Sequence, residues 1–357
     1  MKKHNFFAGP AELDETVIKN TADNIIDFAG TGISIMAISH RSKEFIAVME
    51  KAVNLTKELL DVPSTHEVIF LQGGASLQFA MLPMNLLDKK AAYVDSGTWA
   101  SNAIKEAKLF GEVVVVGSSK DKNYNYIPVG WEKNIPSDAS YLHYTSNNTI
   151  FGTQFKKDPD VNVLLASDMS SDIFWRPVDV SKYAIIYAGA QKNIGPSGIT
   201  LAIVRKDLLD KINRPVPTML KYSTHVDKES MYNTPPTVAT YACVQSLERF
   251  KNLGGVKALG KIADQRANSI YDEIDRNKLF VSTVPDASHR SNMNITFVMN
   301  EQYKDLEKDF TDFAKSRNIV GITGHRSVGG FRASVYLSQR DDSVNALIQA
   351  MKDFEKK

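Results

Sequence analysis

The stretch Tyr187-Ala188-Gly189-Ala190-Gln191-Lys192-Asn193-Ile194-Gly195-Pro196-Ser197-Gly198 constrains the fold more than any other part of the chain. The apolar run from Tyr183 to Tyr187 reads as a buried strand that ends in small residues. A single lysine follows, and then a Gly-Pro-Ser-Gly turn too irregular to continue as helix. Burial at a strand end lowers an amine's pKa, and small neighbours leave room for a flat ring, which together suit an imine with a carbonyl compound. Taken alone, a lysine before glycines is more often an ordinary residue of a surface loop.

The upstream segment changes that balance. Val161 to Ala166 reads as a second apolar strand, closing on Ser167-Asp168-Met169-Ser170-Ser171. A carboxylate at the end of the neighbouring strand is what a pyridine cofactor needs, because it keeps the ring nitrogen protonated and the ring able to accept electrons. A strand ending in Asp, followed one βαβ-like step later by a strand ending in Lys, resembles the arrangement of pyridoxal-phosphate enzymes of the aspartate-aminotransferase type. It does not by itself name a reaction.

With 357 residues, 43% of them hydrophobic, the chain can bury a sizeable core and is expected to make two domains. A net charge of +2 gives no argument for nucleic acid or another polyanion, so anion recognition has to be local. The one cysteine, Cys243, falls on a helical stretch and reads as a small buried residue. It excludes an internal disulfide, no cysteine pair marks a metal site, and a reducing compartment fits. The amino end has Lys2 and Lys3, but its short apolar run is stopped by Gly9-Pro10, so no signal peptide is read. No apolar run approaches membrane-spanning length, and the expected location is the cytoplasm.

Taken in order, 1–15 reads as an amino-terminal arm too short to be an element by itself. Val17, Ala22, Ile25, Ile26 and Ala29 recur at helical spacing, and Gly30-Thr31-Gly32 ends that helix. His40-Arg41 precedes Ser42, a candidate N-cap for a helix with Phe45, Met49, Ala52 and Leu59 on one face. The pair reads either as an anion grip beside a helix N-terminus or as a solvated loop. Strand Glu67 to Gln72 is followed by Gly73-Gly74-Ala75-Ser76 and a helix to about Leu87. That unit is either a phosphate cradle or a plain tight βα turn. Strand Ala91 to Asp95 precedes Gly97-Thr98-Trp99, whose indole either lies on a planar ligand or fills core.

Strands from Glu112 to Gly117, Tyr141 to Thr145 and Ile199 to Val204 continue the series, and a polar turn carries Thr149. Asn233-Thr234-Pro235-Pro236 precedes the helix Val238 to Phe250. Composition shifts at Gly254-Gly255, which sets a large domain at 16–254 and a small one at 255–357. The small domain reads as a long charged helix, a strand from Asn292 to Met299 and a helix from Tyr303 to Arg317. A glycine-rich loop with His325, Arg326 and Arg332 follows, then a strand from Phe331 to Leu337 and a helix from Asp342 to Glu355. Two guanidiniums and an imidazole among glycines are either grips on a small anion or a basic turn.

Seven motifs together carry a close resemblance: His-Arg-Ser at 40–42, Gly-Gly-Ala-Ser-Leu-Gln-Phe at 73–79, Gly-Thr-Trp at 97–99, Thr-Ser-Asn-Asn-Thr-Ile-Phe-Gly-Thr at 145–153, the lysine block at 187–198, Tyr-Asn-Thr-Pro-Pro-Thr at 232–237 and Gly-His-Arg-Ser-Val-Gly-Gly-Phe-Arg-Ala-Ser at 324–334. In that order they look like the phosphoserine aminotransferases of the class-V aminotransferase family, over nearly the whole chain. Leu337, after Tyr336, departs from the Asn common in relatives, which bears on packing near the mouth of the site. The resemblance implies an α/β fold, the fold type I of pyridoxal-phosphate-dependent transferases: a large domain with a mainly parallel mixed sheet flanked by helices, and a smaller carboxyl-terminal α/β domain. It implies pyridoxal 5′-phosphate as cofactor, no metal, and a homodimer with active sites at the interface.

By the same resemblance, Lys192 forms the imine and moves the proton, Asp168 holds the pyridinium, Trp99 stacks on the ring and Thr149 touches its hydroxyl. Ala75, Ser76 and Gln191 bind the cofactor phosphate, joined by Asn233 and Thr234 of the neighbouring subunit. Arg332 pairs with the substrate α-carboxylate. His40, Arg41, His325 and Arg326 hold the substrate phosphate or the distal carboxylate of glutamate. The implied reaction converts glutamate and 3-phosphooxypyruvate to 2-oxoglutarate and O-phosphoserine, and extends in some relatives to the one-carbon-longer phospho-substrate of pyridoxine synthesis. Rival readings are alanine–glyoxylate exchange, which leaves four distal cationic side chains unexplained; a cysteine desulfurase, which needs a mobile cysteine; and a regulatory module that binds the cofactor without turnover.

Overall fold

A computed structural model describes residues 2–357. The amino end is a strand: β1 (His4–Asn5) pairs in parallel with Ile319–Val320, near the other end of the chain. The next seven strands build one sheet. They are β2 (His66–Leu71), β3 (Lys90–Asp95), β4 (Glu112–Ser118), β5 (Leu142–Thr145), β6 (Leu165–Asp168), β7 (Tyr183–Gly189) and β8 (Thr200–Arg205), in the order β2-β8-β7-β6-β5-β3-β4. Only β8 runs against the others, pairing antiparallel with both β2 and β7. The central strands are buried along their whole length, as expected for parallel strands covered on both faces.

Alternation of side chains divides the core into two layers. On one face Phe70, Tyr144, Ile186 and Leu201 share a core with α2 (Lys43–Leu59) and with Phe28 and Ile35, which follow α1 (Glu15–Ile26). On the other, Ile69, Tyr93, Tyr187 and Ala202 meet α3 (Gly74–Leu86) and α4 (Thr98–Ala107), with the short α5 (Tyr222–Asp227) beside them. Ser42 caps α2 as its sequence predicts, its side chain accepting from the Phe45 N–H at 3.3 Å. Helix α6 (Thr237–Asn252) adds Cys243, Leu247 and Phe250 to the first face.

The long helix α7 (Gly255–Arg276) belongs to two cores: Val256, Leu259 and Ala263 pack with the large sheet, and Ala267, Ile270 and Ile274 with the carboxyl-terminal unit. That unit is a three-stranded antiparallel sheet of β9 (Phe280–Ser282), β10 (Asn294–Met299) and, after β11 (Ile319–Val320), β12 (Phe331–Ser334), with β10 in the middle. Helices α8 (Glu307–Ser316) and α9 (Asp341–Glu355) complete it.

Several boundaries differ from the sequence reading. The strand expected at 161–166 is β6, four residues further on, because β5 and β7 offer hydrogen-bond partners only from Leu165 to Asp168. The helix expected from Tyr303 starts as a 3₁₀ turn and becomes α-helical at Glu307. The arm is held by Phe6, which is fully buried in the carboxyl-terminal core against residues some three hundred positions away. Removing that ring leaves a cavity the surrounding phenylalanines cannot fill. Phe6→Ala is expected to lower the unfolding free energy by about 3–5 kcal/mol, read as a fall in the denaturant midpoint at unchanged slope.

Candidate active site

Strands β5, β6 and β7 end together at one edge of the sheet, and a cleft of about 320 Å³ opens there between the sheet and the carboxyl-terminal unit. Ligands of open α/β sheets bind at this carboxyl edge, where loops leave in different directions. The cleft gathers Ala75, Ser76, Trp99, Thr149, Asp168, Gln191, Lys192, His325 and Arg332 from the residues picked out in the sequence.

Lys192 sits just past the end of β7, on its irregular turn. Its Nζ donates to the Thr149 hydroxyl at 2.9 Å and lies 5.9 Å from the centre of the Trp99 ring. Burial is the main force on its amine and lowers the pKa to about 8; the Arg332 charge adds to this, and Asp168 and Asp172 oppose it. Asp168, the last residue of β6, is buried, and the same desolvation raises its pKa against the opposing pull of Ser170 and Lys192. Ser170 binds only one carboxylate oxygen, Oδ1, through its backbone N–H at 2.9 Å and its hydroxyl at 2.6 Å. That local turn aims the carboxylate into the cleft. A cationic ring nitrogen at the other oxygen would complete a pair that the burial otherwise makes costly.

At the opposite wall, Gly73 and Gly74 have φ of 92° and 67°, values that only glycine adopts freely, and they turn the chain sharply from β2 into α3. No side chain caps this helix, so the N–H groups at Gly74, Ala75 and Ser76 face the cleft as an anion-binding end. Gly189 leaves room for the Gln191 side chain, since a Cβ there would lie 2.6 Å from its oxygen and displace it. The Trp99 indole N–H is buried in the cleft wall without a partner. These features fit pyridoxal phosphate: an amine for its carbonyl, a carboxylate for its ring nitrogen, an indole for its face and a helix end for its phosphate.

Arg332 projects from β12, with one Nη1–H bonded to the Thr149 carbonyl at 3.1 Å and its Nε buried without a partner. The guanidinium therefore keeps donors free for a carboxylate. His325 lies half-buried on the glycine-rich loop, its Nδ1 against the Ser327 hydroxyl at 2.7 Å, and burial, Arg332 and Arg326 hold its pKa below the usual histidine value. Arg326 is exposed beside it. His40 and Arg41, just before α2, do not line this cleft, nor do Asn233 and Thr234; the Thr234 carbonyl instead accepts from Gln72 at 3.1 Å.

Sequence reading missed three parts of the wall. Ala8 and Gly9 of the arm lie over Lys192, where a Cβ on Gly9 would sit 3.1 Å from the lysine Cγ. Ser170 was visible only as the second residue after Asp168, a spacing that allows it to hold the carboxylate. Phe79 and Ile150 fell inside two of the motifs, but nothing in their apolar side chains marked them as part of the wall. A recess of about 330 Å³ between α2 and β2 has an apolar back wall, and its one lysine, Lys57, is paired with Glu67 at 3.0 Å. Cys243 is fully buried on α6, its thiol pushed up to about 12 by burial, which removes it as a mobile nucleophile.

This fold and this cleft define a class-V aminotransferase, and the chain belongs to that family: the model for "Aminotransferase class-V" matches residues 4–347. The family implies pyridoxal phosphate as cofactor. Within the family, the chain is similar along its whole length to phosphoserine aminotransferases. It is 60% identical over 356 residues to the phosphoserine aminotransferase of Parabacteroides distasonis, covering 100% of this chain and 99% of that one. Among solved structures, the phosphoserine aminotransferase from Bacillus circulans subsp. alkalophilus superposes with a TM-score of 0.94 at 43% identity, covering 99% of each chain. The pyridoxal-phosphate-bound phosphoserine aminotransferase from Trichomonas vaginalis superposes with a TM-score of 0.93 at 34% identity, covering 98% of this chain and 100% of that one.

The lowered lysine pKa makes a measurable prediction. Protein freed of cofactor should recapture pyridoxal phosphate at a rate that rises with pH through about 8 and then levels, because only the neutral amine attacks the carbonyl. An unshifted lysine would keep accelerating past pH 10.

Proposed function

We propose that the chain catalyses ping-pong transamination between glutamate and 3-phosphooxypyruvate, giving 2-oxoglutarate and O-phosphoserine, a step of serine biosynthesis. The observation that carries this reading is the cleft itself. It places a half-buried lysine and a buried aspartate at adjacent strand ends, with an arginine and a histidine on the facing wall. When bound, pyridoxal phosphate supplies the carbonyl that takes up the amino group and the ring that draws electrons from the substrate α-carbon. Asp168 would hold the ring nitrogen, Trp99 would cover the ring face and Thr149 would reach its hydroxyl. Ala75, Ser76 and Gln191 would hold the phosphate.

The chain's own groups do the rest. Arg332 offers its free guanidinium edge to the α-carboxylate and so orients the α C–H bond toward Lys192. Lys192 Nζ takes the α-proton from the amino donor in one half-reaction and delivers a proton to the α-carbon of the oxo acid in the other. An amine with a pKa of about 8 is suited to both directions near neutral pH. His325 and Arg326 meet the distal anion, which is a carboxylate in one substrate and a phosphate in the other; several cationic donors satisfy either without rebuilding the pocket.

We infer that the working form is a cytoplasmic homodimer. Asn233, Thr234, His40 and Arg41 stand outside the cleft of their own protomer, so a second copy is the source from which they reach it, the first two at the cofactor phosphate and the second two at the distal anion. The longer phospho-substrate of pyridoxine synthesis has the same two anionic ends and is a candidate second substrate.

The test is a half-reaction with the loaded enzyme and no acceptor. Its yellow absorbance should bleach with O-phosphoserine and with glutamate but not with alanine, which lacks a distal anion. Failure with O-phosphoserine would leave an aminotransferase of another specificity. Arg326→Ala should weaken O-phosphoserine by on the order of tenfold or more while changing a poor uncharged amino donor little, since it removes a charged hydrogen-bond partner. An equal loss on both donors would mark Arg326 as structural.

A further inference from the structure

Beneath the cleft, between the large sheet and the carboxyl-terminal unit, lies a cluster of six polar side chains: Asn147, Ser171, Ser291, Asn294, Ser334 and Tyr336, each at most 3% exposed. Burying so many polar groups is costly unless every one finds a partner, and here they do. The Asn147 amide donates to the Ser171 hydroxyl and to Asn294 Oδ1, both at 2.8 Å. Its own Oδ1 accepts from Ser291 at 2.5 Å. The Asn294 amide donates to the Ser334 hydroxyl at 3.0 Å and the Tyr336 hydroxyl at 3.1 Å. Tyr336 passes the chain on, donating to the Ala8 carbonyl at 2.7 Å.

The cluster joins four segments that surround the reacting atoms. Asn147 is two residues before Thr149, whose hydroxyl holds Lys192 and whose carbonyl holds Arg332. Ser171 follows the turn that aims Asp168. Ser334 is two residues beyond Arg332 on β12 and pairs in register with Asn294 on β10, so the two lie on one face. Ala8 adjoins Gly9, which lies against the Lys192 stem. Asn294 is the member bonded both to Asn147 and to the Ser334 and Tyr336 hydroxyls, and an amide with both donors and an acceptor engaged permits a single arrangement of its neighbours.

We propose that Asn294 is a positioning residue for transamination: through Asn147 on one side and Ser334 and Tyr336 on the other, it sets the distance between Arg332 and Lys192 and thereby the affinity for the substrate α-carboxylate. The proposal rests on the assignment of Arg332 to that carboxylate. Apolar side chains of similar volume would bind the two units together equally well; they would not fix one register between them.

The test uses the loaded enzyme and maleate, an unreactive dicarboxylate, titrated by calorimetry. Asn294→Ala should raise the dissociation constant of maleate, and the KM of both amino donors, on the order of tenfold, with kcat within about threefold because no reacting atom is touched. Tyr336→Phe, which deletes one hydroxyl and keeps the ring, should shift the same constants in the same direction by a smaller factor and speed hydrogen exchange at the Ala11 amide, which the arm now holds to the Gln191 carbonyl at 3.0 Å. A lower unfolding midpoint with unchanged maleate affinity would overturn the proposal and leave the cluster as packing. Should Asn294→Ala not fold, unchanged maleate binding in Tyr336→Phe overturns it equally. Arg332→Lys separates the two readings: if it leaves maleate affinity intact, the carboxylate assignment itself fails; if it abolishes binding and the Asn294 and Tyr336 variants do not weaken it, only this inference falls.

Discussion

An amine removed from water and given a hydroxyl, not a carboxylate, as its hydrogen-bond partner is the constraint on which this structure turns. Lys192 would gain about 1.5–3 kcal/mol from an adjacent charged acceptor, and its hydrogen-bond partner is instead the neutral Thr149 hydroxyl. The sheet is built to hold it in that state. Three parallel strands bury the approach, Asp168 stands at the neighbouring strand end with its own charge also poorly solvated, and Arg332 faces both across the cleft. Each of the three groups is ill at ease alone: a ligand with a cationic nitrogen and a reactive carbonyl would satisfy Asp168 and Lys192, and a substrate carboxylate would satisfy Arg332. Binding energy and reactivity therefore come from the same local frustration.

The parts of this arrangement that follow from short-range pattern were legible in the sequence. Continuous apolar runs announced the parallel strands, the small residues after Tyr187 marked the end of β7, and Ser42 announced its helix. What escaped depends on distant partners. Phe6 is an unremarkable aromatic until residues beyond 300 surround it, and two- or three-residue strands such as β1, β9 and β11 are too short to show any period. The displacement of β6 from 161–166 to Leu165–Asp168 has the same origin, since Val161 and Val163 are as apolar as a strand requires but have no strand opposite them. Asn147 lay inside a recognised motif, yet its partner Asn294 carried no local signal, because an asparagine in a strand reads as a mild defect until its hydrogen bonds are traced.

The two units meet through polar seams as well as apolar ones. Under the cleft runs the asparagine–serine–tyrosine cluster. Behind it, Lys156 reaches Gln154 at 3.1 Å and Asn292 at 2.6 Å and lies over the Trp175 ring, its pKa lowered by burial to about 8. Asn292 and Trp175 both donate to Asp264 on α7, and Gln154 reaches Asp172, a carboxylate that burial raises to about 6. Apolar contacts tolerate sliding; directional hydrogen bonds between fully buried amides do not. The long helix α7, shared between both cores, adds a rigid strut across the same boundary.

The pairing of β1 with β11 has a consequence for biosynthesis. His4 leaves the ribosome some three hundred positions ahead of its partner Ile319, so the amino-terminal segment must wait, unpaired and with Phe6 uncovered, while the intervening chain is made. The lysine-bearing sheet can form before then; the wall of the cleft that the arm provides cannot. Assembly of a competent site is thus set by chain order, and a nascent chain stalled before β11 would hold a sheet complete in its strands but lacking the roof over Lys192.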